Sequence, residues 1–186
     1  TVAFPVNILE IDTINSLAKE LHLNLLVESV ESVNFLDKQL KYPIGGLFIK
    51  IDTGSHRAGV LPSNIVLIDN ILKAIDESKN LKFKGFLAHS GHTYYSKSKE
   101  EIKETHNRAL EMLAALKLKY SKNYPDMIVS VGDTPSCSIS NNFEGVDEIR
   151  PGNFVYYDLT QLYLESCTQH EIAAALACPI VAIHKE

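Results

Sequence analysis

The chain has 186 residues, 45% of them hydrophobic and 22% charged, with 18 Lys and Arg against 23 Asp and Glu for a formal net charge of −5. At roughly 150 residues per domain the length suggests one domain with a real core, and an acidic chain without an extended basic block argues against nucleic acid as a partner. No apolar run reaches the ~18 residues of a membrane helix, no signal peptide opens the chain, and three cysteines without CxxC spacing, Cys137, Cys167 and Cys178, read as the reduced thiols of a cytoplasmic protein.

A candidate strand ends at Phe4. Residues 23–27 (LNLLV) form a short apolar run, and a helical pattern follows at Val30, Val33, Phe35, Leu36 and Leu40. Strand-like GLFIKI at 46–51 leads into the polar loop DTGSHRAG. A helix is expected over 62–78, capped by Ser63, with Ile65, Ile68, Leu72 and Ile75 on one face. FKGFLAH at 83–89 is the next strand, and a long helix is expected over 98–120. MIVSV at 127–131 and residues 146–150 are further strands, with 154–157 close behind. Residues 172–183 are apolar enough for either a strand or a helix.

Strands alternating with helices of this length imply βαβ units and a parallel sheet. Each strand ends in a chemically loaded turn: IKIDTGSHR, FLAHSGHTYY, VSVGDTPS and EIRPGN. Function spread over successive carboxyl ends is the pattern of a (β/α)8 barrel, whereas a dinucleotide-binding sheet concentrates it in one GxGxxG turn, which is absent. Five strands and a candidate sixth are too few to close a barrel of about 250 residues. With Thr1 in place of Met and a last segment that stops in mid-pattern, the chain is expected to be a piece of something longer.

The turns supply the candidate site residues. Arg57, between two glycines just past a strand, can present its planar fork to an anionic oxygen. His89, His92, Tyr94 and Tyr95 gather after the next strand, without the acidic or thiol neighbours that would complete a metal site. VSVGDTPS and RPGN read as two halves of a phosphate cradle, with Gly132, Thr134, Gly152 and Asn153 as its members and Pro135 suited to the first turn of a helix. Residues 136–140 read as a loop. Each turn alone would pass for an ordinary one; their order along a barrel gives them weight.

The ordered series KIDTGSHRAGV, AHSGHTYY, SVGDTPS and EIRPGNFVYYD resembles the fold-type III pyridoxal-phosphate enzymes, the alanine racemase-like barrels, and within them the D-serine dehydratase and D-threonine aldolase branch. The resemblance implies an α/β fold: a partial (β/α)8 barrel over 1–166, without its first strands, and a connection over 167–186 towards a C-terminal β-domain. It implies pyridoxal 5′-phosphate as cofactor, a D-amino acid substrate and a homodimer. Arg57 would contact the cofactor's phenolic oxygen, His89 would lie against its ring, and Tyr94 would line the ring or substrate site. Gly132, Thr134, Gly152 and Asn153 would hold the phosphate. Arg150 matches the strand residue that reaches the pyridine nitrogen in the racemases; its role in the dehydratase branch is open.

The family's Schiff-base lysine sits on the first barrel strand, upstream of Thr1, and Lys50 is at best a supporting residue. The dehydratase's zinc ligands lie in the C-terminal domain, so no metal is assigned here and Cys178 and His184 are not ligands. Asp133 stands where a small hydroxyl residue is more usual, placing a carboxylate near the phosphate turn. The implied activity is conversion of D-serine to pyruvate and ammonia by the longer protein, with this chain alone inactive. Retro-aldol cleavage of D-threonine and a non-catalytic pyridoxal-phosphate carrier are the alternatives.

Overall fold

A computed structural model describes residues 4–184. Five strands, β1 (Asn24–Val27), β2 (Gly46–Ile51), β3 (Phe83–Ala88), β4 (Ile128–Val131) and β5 (Glu148–Ile149), form one sheet in the order of the sequence, and every neighbouring pair is parallel. The principal helices are α1 (Ile11–Glu20), α2 (Val30–Gln39), α3 (Ile65–Glu77) and α4 (Lys99–Tyr120), with short α5 (Thr134–Ile139) and α6 (Leu159–Tyr163) near the end.

The two faces of the sheet differ. Leu25, Val27, Leu47, Ile49, Ile51, Phe86, Val129 and Val131 pack with Ile14, Val33, Leu36, Ile68, Ile71, Leu110 and Leu113 from the helices in the main core. The alternate strand residues Leu26, Phe48 and Leu87 form a separate small cluster with Ile128. Successive side chains of a strand point to opposite faces, so the helices cover one face and the other is the interior. Sequential strand order with one-sided helices is the arrangement of a (β/α)8 barrel; a doubly wound sheet has helices on both faces.

The strands expected at 23–27, 46–51, 83–89, 127–131 and 146–150 are all present; that at 46–51 has the expected ends, and the other four are shorter by a residue or more. Helix α3 begins at Ile65, not near Pro62: Asn64 caps it by accepting the Leu67 amide at 3.2 Å, after a turn in which its own amide donates to the Leu61 carbonyl. Residues 154–157 are not a strand, because a 3-10 turn over Gly152–Val155 and a left-handed Tyr157 (φ 51°) bend the chain away from the sheet. Residues 136–140 are largely helical, in α5, since Asp133 caps the segment. Helices α1 and α6 were not anticipated. Residues 172–183 hold neither strand nor helix and are mostly exposed. The candidate strand ending at Phe4 falls mainly outside the described residues; Phe4 lies in a bend, and the Val6 amide donates to the Leu26 carbonyl at 2.8 Å.

Candidate functional site

The interior face carries the chemistry upward to the carboxyl ends of the strands. Parallel register sets Lys50 beside Leu87, Leu87 beside Ser130 and Ser130 beside Glu148. Two residues further along are Asp52, His89, Gly132 and Arg150, where strands give way to turns.

Arg150 ties three strands together. Its Nε donates to Ser130 Oγ at 2.7 Å and its Nη2 to the Ala88 carbonyl at 2.5 Å, while Ser130 Oγ donates to Glu148 Oε1 at 2.5 Å and Glu148 sits 3.6 Å from the Arg150 Nε. A guanidinium so engaged is a fixed charge in the barrel floor.

Lys50 is 2% exposed. Burial, then the charges of Arg150 and Arg57, lower its pKa to about 8, against the pull of Asp52 and Glu28. His89 is pushed down to about 4 by burial and by Arg57, Lys50 and Arg150, opposed by a hydrogen bond to the Gly132 backbone. At neutral pH a neutral imidazole therefore stands among three cations, a place suited to an anion.

The DTGSHRAG turn is organised by Asp52, whose Oδ1 accepts the Gly54 and His56 amides at 3.0 and 3.1 Å. Burial alone would raise its pKa, but these amides and the neighbouring His56 bring it below the ordinary value. The turn folds back beside β2, the Val60 amide donating to the Lys50 carbonyl at 2.8 Å. This carries Arg57 to the mouth, its guanidinium 4.3 Å from the centre of the Phe4 ring.

Asp133, the unusual residue of SVGDTPS, does not point at the cradle. Its carboxylate accepts the Ser136 amide at 2.8 Å and the Thr93 hydroxyl at 2.9 Å, capping α5 and joining it to the GHTYY turn. Burial raises its pKa. Thr134 is fully buried; its hydroxyl accepts the Asn153 amide at 2.9 Å, and its amide reaches Tyr94 Oη at 3.4 Å. The two proposed halves of the cradle are thus in direct contact. Gly132 is needed for Arg150: a Cβ there would lie 2.6 Å from the Arg150 carbonyl oxygen. Gly152 faces open space.

Arg57, His89, Tyr94, Gly132, Thr134, Gly152 and Asn153 therefore all belong to one end of the sheet. His92 lies there too, lowered in pKa mainly by burial, its Nδ1 buried without a hydrogen-bond partner. Among the described residues no three His, Cys, Asp or Glu side chains gather to hold a metal. The sequence reading missed the Thr93–Asp133 bond and the Ser130–Glu148–Arg150 network. The first had a signal, an Asp directly before Thr-Pro at a helix start; the second depends on strand register, which has none.

Residues 3–160 match the family described as alanine racemase, N-terminal domain. That arrangement of fold and strand-end turns is the one this family defines, and the chain belongs to it. It is 34% identical to the D-serine dehydratase of Dictyostelium discoideum, covering 88% of this chain and 45% of that protein. It is 28% identical to the D-threo-3-hydroxyaspartate dehydratase of Delftia sp. HT23, covering 73% of this chain and 36% of that protein. The crystal structure of that Delftia enzyme superposes with a TM-score of 0.83 at 23% identity over 92% of this chain and 46% of its own. D-threonine aldolase from Filomicrobium marinum superposes with a TM-score of 0.74 at 17% identity over 90% of this chain and 45% of its own. The chain spans less than half the length of these relatives.

Proposed function

We propose that this chain forms the cofactor-binding part of a pyridoxal-phosphate-dependent D-serine dehydratase, which converts D-serine to pyruvate and ammonia. The observation that carries this reading is the convergence of Lys50, Arg57 and Arg150 on a neutral His89 beside the Thr134–Asn153 contact. The similarity to the Dictyostelium D-serine dehydratase supports the choice of substrate.

The residues present fit an anionic, planar group. Three cations stand against the carboxylates of Asp52 and Glu28, and open space lies over Gly152. Arg57 would take the phenolic oxygen, and His89, neutral at working pH, would lie against the ring without competing for a proton. Thr134, Gly132, Gly152 and Asn153 would shape the phosphate end, and Tyr94 would line the ring or substrate side. When bound, the cofactor supplies an electron sink for charge developing at an amino acid's α-carbon. Lys50 and Arg150 would keep the field at the strand ends positive where that charge develops. Zinc has no ligand set among the described residues, so it belongs to the proposal for the longer protein alone. The homodimer, the cytoplasmic location and the division of the chain at 166/167 belong to the same reading.

The test is a substrate panel on the protein expressed from its whole gene with pyridoxal phosphate. D-serine should give pyruvate and ammonia in equal amounts. Glycine plus an aldehyde from D-threonine would replace this reading with the retro-aldol one, and cofactor binding without either reaction would mark a carrier protein.

A further inference from the structure

The opposite end of the sheet holds a basic cavity. Its volume is about 610 Å³, and it opens where the chain enters β1, β2 and β3. Three different connections contribute to it. His22 comes from α1–β1, Lys41 and Tyr42 from α2–β2, and Lys79, Asn80 and Lys82 from α3–β3. No carboxylate lines it, and among the described residues none of the three lysines has an ion-pair partner. Neighbouring acids are engaged elsewhere: Glu77 pairs with Lys73 at 3.8 Å, and Asp37 accepts the Ser78 hydroxyl. The concentration of positive charge is notable in a chain whose net charge is −5.

A second observation concerns Gly45, in the wall of this cavity. A Cβ at this position would lie 2.5 Å from His22 Nε2, so the glycine leaves room for the imidazole at the cavity wall.

We propose that this cavity binds a small phosphate-bearing anion, at a site separate from the strand-end cradle. Lys41 from one connection and Lys79 and Lys82 from the next supply charge, and His22 donates a hydrogen bond. The rings and methyls of Tyr42, Pro43 and Ile44 offer an apolar wall to whatever the phosphate is attached to.

The experiment is a titration of the protein expressed from its whole gene with inorganic pyrophosphate at constant ionic strength, followed residue by residue through backbone amide NMR. Saturable shifts are expected at Gly45 and at Lys79–Lys82, with an affinity distinct from any response at Gly132 and Asn153. The K41Q/K79Q/K82Q variant, changed only at exposed side chains, should weaken the first response at least tenfold and leave the second unchanged. Shifts that never saturate, that chloride reproduces, or that survive the triple substitution would overturn the proposal. So would a response to an RNA oligonucleotide but none to pyrophosphate.

Discussion

The backbone amide of Asn153 donates to the buried hydroxyl of Thr134 across 2.9 Å, joining the turn after β5 to the turn after β4. Two loops that are 19 residues apart in the chain thereby become one surface. T134V keeps the shape of the side chain and removes the acceptor, leaving the Asn153 amide unpaired. We expect a loss of about 1–3 kcal/mol in urea unfolding and at least a tenfold weaker affinity for pyridoxal phosphate by absorbance titration. T134S should restore most of both, which separates the hydroxyl's role from a packing role.

Gly132 and Arg150 are in close contact, and G132A forces the β5 backbone away. Overpacking of this kind costs about 1–3 kcal/mol. The displaced guanidinium would also lose its bonds to Ser130 and Ala88. Cofactor affinity should therefore fall further in G132A than in a variant of equal instability in the helix-packed core, such as I71V.

The pKa shifts of His89 and Lys50 make opposite ends of the pH range informative. His89 titrates at about 4 in the fold and at 6.5 when unperturbed, so the unfolded chain binds more protons between these values and stability falls as pH drops from 6.5 towards 4. The depth of the fall should be about 2 kcal/mol, allowing for solvent at a partly exposed ring. H89Q should flatten it. Lys50 titrates at about 8 against 10.5, so the same rule makes stability rise with pH across that window. K50M should remove that rise and stabilise the chain at pH 7 by about 2–3 kcal/mol, while weakening the binding of any anion at the strand ends.

Asp133 is read here as a cap and not as a phosphate contact. D133A should cost about 2 kcal/mol through loss of the α5 cap and release of Thr93, whereas D133N, which keeps an accepting oxygen, should cost less than half as much. If the carboxylate instead repelled the phosphate, D133N would bind pyridoxal phosphate more tightly than the natural chain, and unchanged affinity is the expected result.

Much of the architecture was legible in the residues. The runs LNLLV, GLFIKI and MIVSV are apolar but for one residue each because both faces of those strands are covered, and the turns after β2, β3, β4 and β5 announced themselves through Gly, Asp, His or Pro. Local signals failed where a single contact outweighed propensity. Residues 154–157 look like a strand but are turned aside by the 3-10 turn and left-handed Tyr157. Residues 136–140 look like a loop but are held in a helix by Asp133.

By itself the sequence determined the alternation of strands and helices, the four loaded turns and hence the family, because these depend on periodicity and residue type within short windows. Only the tertiary structure decided that Asp133 faces the helix cap, that Thr134 meets Asn153, that Arg150 is fastened across β3 and β4, and that Lys50 lies among cations. Each of these depends on which residues from distant segments arrive at the same level of a parallel sheet. That register comes from the packing of the whole core, and no short window of sequence contains it.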